Sequence, residues 1–349
     1  MRALQLTKWN SRPEIVERDI PVAGPGQVVV KIGGAGLCHS DLHVMNEFVE
    51  GMLPWQLPFT LGHENAGWVH ELGAGVSGLE VGQPVAVYGP WGCGHCARCL
   101  LSAENYCERP SEAPVLGGGG GLGLNGGLAQ YMLVPAARHL VALPDGMDPV
   151  HAAPLTDAGL TPYHAIRRSW SKLTPGSHAV VIGVGGLGHL AVQILKATTA
   201  TRVIAVDTRT EALELATREG ADVAVQVSES AVQQIRGATR GVGADVVLDF
   251  VGNQATVALG SQVARVMGDL TIVGIGGGSL GVSFFSVPYE LSIQTTYWGS
   301  RSELVEVLDL ASRGLLRPTI TQLSLDDAVD AYERMERGDV VGRQVVVPT

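Results

Sequence analysis

No stretch of the sequence reaches the roughly 18 to 20 uninterrupted apolar residues that a helix needs to cross a bilayer. The opening Met1-Arg2-Ala3 runs into a strand-like pattern with no charged leader, apolar core and cleavage site. A soluble cytoplasmic protein is the expectation. Basic residues are also scarce: 24 Lys and Arg stand against 34 Asp and Glu, a formal net charge of -10. A surface for phosphate backbones or anionic lipid needs clustered cations, so neither nucleic acid nor membrane is an expected partner. Extended polar or low-complexity tracts are missing, and with 46% hydrophobic residues a disordered chain is excluded. Cysteine is rare and unevenly spread, with four of the five between Cys93 and Cys107. An odd number in that layout makes a poor disulfide framework, and reduced, metal-binding thiolates fit better.

What is present points to two domains, since 349 residues exceed one ordinary compact core. Up to about residue 140 the text reads as short Val-rich strands broken by Gly and Pro, at 27–32, 67–72, 84–88 and 129–134. From residue 177 strand and helix patterns alternate, at 179–182, 187–197, 203–206, 211–219, 245–250 and 270–273. That alternation implies an α/β fold with a parallel sheet and crossover helices. After Leu291 the alternation stops. The pattern leaves open whether this tail adds to the sheet or returns to the first domain. The glycine run 117–121, with more glycines through Gly127, reads as a flexible surface loop.

Cys93, Cys96, Cys99 and Cys107 form a CxxCxxC run with a fourth cysteine eight positions on, and Gly92 and Gly94 permit the tight turns between them. Four thiolates around one tetrahedral zinc leave no open position, which makes a structural site. An iron–sulfur cluster is the rival, but the ferredoxin run puts its last cysteine four positions on and follows it with Pro. Further along, the strand Val180-Val181-Ile182 enters Gly183-Val184-Gly185-Gly186-Leu187-Gly188 and then an apolar helix. In this strand–turn–helix setting GxGxxG is a dinucleotide loop: Gly183 makes the turn, Gly185 admits the pyrophosphate, and Gly188 lets helix and strand pack closely. The next strand ends in Asp207, a carboxylate for the ribose hydroxyls, which favours NAD; Arg209 beside it keeps NADP open as a second acceptor.

Cys38-His39-Ser40-Asp41-Leu42-His43 and Gly62-His63-Glu64 place a thiolate, imidazoles and carboxylates in the β-rich part. By themselves they fit a metal site or buried structural polar groups equally well. Together with Leu61-Gly62-His63-Glu64, the cysteine lobe, 153–161 (Ala-Pro-Leu-Thr-Asp-Ala-Gly-Leu-Thr) and the Gly183–Gly188 loop, in that order, they make the whole chain resemble the zinc-containing medium-chain alcohol dehydrogenases. The resemblance implies a GroES-like β-rich catalytic domain at 1–153, a Rossmann doubly wound NAD-binding domain at 154–292, and a return to the catalytic domain at 293–349.

It further implies a catalytic zinc on Cys38, His63 and Asp157 with a fourth position open, and Glu64 close by. Many relatives have Cys where Asp157 stands; a carboxylate there resembles the bacterial secondary-alcohol branch. Asp41 is expected to orient His63, since metal-bound imidazoles usually need a partner on the other ring nitrogen. Ser40 and His43 match the proton relay that serves the alkoxide-forming step. His39 and Arg343 match contacts to the pyrophosphate, and Val251, Val273 and Ile275 match positions along the cofactor. Trp55, Ile275, Tyr297 and Trp298 fall in segments that line the substrate cleft of the family. The expected chemistry is reversible hydride transfer between NAD and a secondary or aryl-substituted alcohol or its ketone or aldehyde. A polyol, amino-alcohol or aldehyde dehydrogenase on the same scaffold is the alternative. One catalytic and one structural zinc per chain, and a homodimer or homotetramer, are implied with it.

Overall fold

A computed structural model describes residues 1–349. The chain folds as two units: Met1–Leu160 with Trp298–Ser312 and Pro318–Thr349, and Thr161–Tyr297 with Arg313–Arg317. None of its helices is long and apolar enough to cross a membrane.

The first unit is built on a seven-stranded sheet. Its longest strand, Val28–Leu37, opens on three β-branched residues that suit a pleated, buried surface. It pairs antiparallel with Glu64–Leu72, Tyr131–Val134 and Arg343–Val346. Val28, Val30, Leu4, Leu6, Phe59 and Met132 are buried together beneath it. Each such side chain contributes roughly 1.5–3 kcal/mol of transfer free energy. The tail therefore supplies an interior strand of the first unit's sheet. Its register, with Gln344 opposite Leu37, brings Arg343 to the end of the strand where Cys38 begins the next element. Gly36 matters to this geometry, because a Cβ there would collide with the Glu64 carboxylate lying across it.

The glycine run departs from its expected form. Gly118–Gly121, Gly126 and Gly127 are buried, and a short parallel pair, Gly119–Gly120 with Gly123–Leu124, stands where a surface loop is expected. A Cβ at Gly121 or Gly126 would strike the Gly62 backbone, and one at Gly127 would strike the Asn65 side chain. Here the missing side chains permit backbone-on-backbone packing against the segment that carries His63, and Gly121 combines that close approach with a φ of +84°.

The second unit holds a six-stranded, all-parallel sheet in the order Val223–Gln226, Arg202–Asp207, His178–Ile182, Ala244–Asp249, Ala264–Ile272, Ser292–Thr295. That is the doubly wound order, whose direction reverses beside the first strand, His178–Ile182. Val180, Ile204, Val206, Val247 and Leu270 form its core. Ser292–Thr295 is the sheet's last strand, so the tail's return begins at Trp298, after the sheet is complete.

Candidate active site and metal centres

The four lobe cysteines converge. Cys96 Sγ lies 3.4 Å from Cys99 Sγ and 4.0 Å from Cys107 Sγ, and Cys93 Sγ lies 3.9 Å from Cys99 Sγ. Tetrahedral zinc with bonds of about 2.3 Å to sulfur needs thiolates roughly 3.8 Å apart, so the donor set fits that ion. All four are free thiols. Amides of Cys99 and Glu108 point at Cys96 Sγ and pull its pKa down to about 6, while burial pushes Cys99 and Cys107 up. Backbone donors thus prepare part of the negative charge that a metal requires.

Glu104, which the sequence pattern does not single out, braces this lobe from inside. It accepts from the Gly92 amide at 2.7 Å, from Arg138 Nε at 3.1 Å and from His139 Nε2 at 3.0 Å, while Arg138 Nη2 donates to the Gly92 carbonyl at 3.0 Å. Both backbone polar groups of Gly92, the residue before Cys93, are therefore held. Burial works against the Glu104 charge, yet His139, the Gly92 amide and Arg138 together hold its pKa below the usual value. Burial keeps His139 neutral-leaning, stacked on Trp91.

A second cluster joins Cys38, His63, Glu64 and Asp157, whose donor atoms all lie within 4.8 Å of one another. Cys38 caps the helix His39–Asn46, and its amide donates to Asp41 Oδ2 at 3.1 Å. His63 ends the turn after Gly62, whose φ of +91° suits glycine. Its Nδ1 lies 3.0 Å from Asp41 Oδ1, which turns Nε2 toward Asp157 Oδ2 at 3.5 Å and Ser40 Oγ at 3.2 Å. Cys38 Sγ is 3.8 Å from the same Asp157 oxygen. A tetrahedral zinc would hold such S–O and N–O pairs about 3.6 and 3.4 Å apart, so these residues also fit the ion. Burial opposes a charge on His63, but Asp41, Asp157 and Cys38 together raise its pKa well above the usual value.

Asp157 follows the 3-10 turn Ala153–Thr156. Trp298 holds that turn: its Nε1 donates to the Thr156 carbonyl at 2.8 Å, its ring stands edge-on to His63 at 5.6 Å, and it packs on Gly89 where a Cβ would clash. Its φ of +54° is rare for so bulky a residue and is kept by this packing.

Several expected positions have other surroundings. Arg343 is 4% exposed and paired with Glu64 Oε1, so its guanidinium is already engaged inside the protein and does not stand free at the surface for a phosphate. Burial pushes Glu64 up and Arg343 pulls it back, leaving its pKa at about 7. Trp55 belongs to the hydrophobic core, packed on Phe48 and Phe59 with Nε1 on the Leu116 carbonyl; its surroundings are those of a packing residue and not of a cleft wall. His39 is exposed on the first helical turn, its ring 5.4 Å from that of His43, and His43 Nδ1 lies 2.6 Å from Glu47.

In the second unit Gly183 has φ +83°, Gly185 has open space where a Cβ would be, and a Cβ on Gly188 would strike the Gly183 carbonyl. Gly186 and Leu187 complete the turn into the helix Gly188–Thr198. Asp207 Oδ2 accepts from the Val184 amide at 2.7 Å and Oδ1 from the Arg209 amide at 3.0 Å, which ties the carboxylate to the glycine loop. The Arg209 side chain lies 3.7 Å from that carboxylate. Val251 packs toward Gly183, and the Val273 amide donates to the Asp249 carbonyl at 2.8 Å, so both sit at the carboxyl ends of the strands, where doubly wound sheets bind ligands. Ile275 and Tyr297 are 61% and 42% exposed.

With this geometry in hand, the family described as "Alcohol dehydrogenase GroES-like domain" matches residues 24–145, and "Zinc-binding dehydrogenase" matches residues 186–313. An "NAD-dependent alcohol dehydrogenase" of Sulfolobus acidocaldarius is 37% identical, with all of both chains covered. The crystal structure of the alcohol dehydrogenase from Aeropyrum pernix is similar with a TM-score of 0.91 and 39% identity, covering all of both chains. Acetophenone reductase from Geotrichum candidum, solved in complex with NAD, is similar with a TM-score of 0.84 and 30% identity, covering 99% of this chain and 96% of that one. The chain belongs to the zinc-containing medium-chain alcohol dehydrogenases, enzymes of NAD-dependent alcohol oxidation, and carries both parts of that family's fold.

Proposed function

We propose that this enzyme interconverts secondary or aryl-substituted alcohols and their ketones with NAD, using a zinc held by Cys38, His63 and Asp157. The observation that carries the proposal is the meeting of three donors at tetrahedral spacing with the Ser40 hydroxyl beside them, 3.2 Å from His63 Nε2. Three protein ligands leave one position for a substrate oxygen, in contrast to the closed four-thiol lobe, which would hold a structural zinc. Zinc, when bound, supplies the Lewis acid that lowers an alcohol's pKa, and NAD supplies the hydride acceptor.

The protein's own residues do the rest. Asp41 fixes the ring of His63 so that Nε2 serves as ligand. Ser40 would take the substrate hydroxyl proton as it gives up its own through the cofactor ribose to His43, whose side chain is 16% exposed, touches Glu47 and releases the proton to solvent. Gly183, Gly185 and Gly188 admit the cofactor backbone, and Asp207 selects NAD by repelling a 2′-phosphate, with His39 offered to the pyrophosphate. Trp298, edge-on to His63, supplies aromatic surface for the substrate, and the likeness to acetophenone reductase supports an aryl-bearing one. The enzyme is proposed to work in the cytoplasm as a homodimer or homotetramer of the secondary-alcohol branch.

The test follows NADH absorbance while zinc-replete protein is offered 2-propanol, 1-phenylethanol, ethanol and a polyol, each with NAD and with NADP, with a chelator control. Chelator-sensitive reduction of NAD, fastest with 2-propanol or 1-phenylethanol, is expected. Turnover of the polyol alone would overturn the substrate class, and equal use of NADP would overturn the role given to Asp207.

A further inference from the structure

Asp41 is fully buried, and its two oxygens have separate tasks. Oδ1 faces His63 Nδ1 at 3.0 Å, while Oδ2 accepts the Cys38 amide at 3.1 Å and the Tyr332 hydroxyl at 2.7 Å. Tyr332 is 3% exposed and lies on the helix Ala328–Glu336, in the returning tail, 291 residues from Asp41. Two donors on one oxygen fix the carboxylate plane and keep its other oxygen 3.0 Å from the imidazole Nδ1. The Cys38 amide is local, and any sequence with this helix start would supply it. The Tyr332 hydroxyl is the only side-chain hydroxyl donating to Asp41, and it arrives from a different element. A buried phenol with its O–H so placed serves a polar task, because an apolar ring of the same shape would fill the core equally well.

We propose that Tyr332 is a positioning residue of the catalytic metal centre: through its hydrogen bond to Asp41 it holds His63 in the orientation and tautomer that present Nε2 to the zinc. The chain of contacts runs Tyr332 Oη to Asp41 Oδ2, Asp41 Oδ1 to His63 Nδ1, and His63 Nε2 toward Asp157 and Cys38. The tail thereby sets the affinity of a metal site to which it contributes no ligand. Partners one step from a ligand are worth about 10- to 100-fold in metal affinity or activity, and a partner one step further out is expected to be worth about 3- to 10-fold.

The proposal rests on Cys38, His63 and Asp157 holding a zinc, and its experiment separates the two ideas. Zinc content and the rate of zinc loss to a chromogenic chelator are measured on the wild-type enzyme and on Tyr332→Phe, Asp41→Asn and the double variant, with loss from the cysteine lobe as internal control. Tyr332→Phe is expected to release one zinc about 3- to 10-fold faster, with the second zinc unaffected, and to add nothing further in the Asp41→Asn background. A wild-type enzyme with only one zinc per chain would instead overturn the ligand assignment. Equal release rates with and without the hydroxyl, or effects of the two substitutions that simply multiply, would overturn the role of Tyr332. Should Tyr332→Phe fail to fold, 3-fluorotyrosine at 332, a stronger donor of nearly the same shape, must slow release, and must have no effect when Asp41 is Asn.

Discussion

The two metal centres of the first unit are supported in opposite ways. In the cysteine lobe four identical donors lie within fifteen residues of chain, and amides of the same segment steer the sulfurs. In the catalytic cluster three different donors come from positions 38, 63 and 157, and their supports are side chains: Asp41 and, from the tail, Trp298, Tyr332 and Arg343. A site made from one local segment can be closed and repeated. A site that must keep a position open needs each ligand fixed separately, since no fourth ligand completes the shell.

The largest expected effect breaks one centre and leaves the other. Asp157→Ala should lower kcat/KM on the order of 1000-fold, the loss expected when several kcal/mol of Lewis-acid stabilisation goes. Metal analysis should then find one zinc per chain, with thermal stability little changed. Cys99→Ser is the mirror experiment. It should remove the lobe zinc and cost roughly 3 kcal/mol or more of stability in denaturant unfolding, while the surviving folded enzyme keeps its turnover at low temperature. If Cys99→Ser abolished turnover without destabilising the chain, the division into structural and catalytic centres would be wrong.

Glu104→Gln sharpens the comparison inside the lobe. Removing the charge leaves Arg138 without its buried partner and should cost about 2–4 kcal/mol at neutral pH. The folded protein holds the Glu104 pKa below its ordinary value of 4.5, so the carboxylate's contribution is fully present above that pH. It is lost as pH falls through the depressed folded value. Wild type and variant should therefore converge in urea midpoint toward acid, and a gap independent of pH would refute the charge argument. The smallest effect is expected from Trp298→Phe, which keeps a ring against His63 but deletes the hydrogen bond to the Thr156 carbonyl. A loss of about 1 kcal/mol is expected, read as a lower unfolding midpoint.

The same contrast explains what was legible beforehand. The lobe and the nucleotide loop are short motifs whose spacing fixes their geometry, so Cys93 to Cys107 and Gly183 to Gly188 could be read directly. The glycines at 117–127 misled because local pattern cannot distinguish a flexible loop from backbone packed on backbone; their use depends on Gly62 and Asn65, far away in sequence. Arg343 matched a pyrophosphate contact in the sequence, and only the register of its strand revealed its pairing with Glu64. Trp55 looked like a cleft residue until its neighbours Phe48 and Phe59 placed it in the core. Glu104 and Tyr332 carry no motif at all.

By itself, then, the sequence determined the elements that depend on neighbours along the chain: strand and helix periods, the four-thiol lobe, the glycine turn, and the acidic carboxylate that follows it. Only the tertiary structure decided which side chains stand behind the catalytic ligands. A hydrogen bond such as Tyr332 to Asp41 spans 291 residues, and its existence depends on strand register and helix packing, quantities that no local spacing encodes.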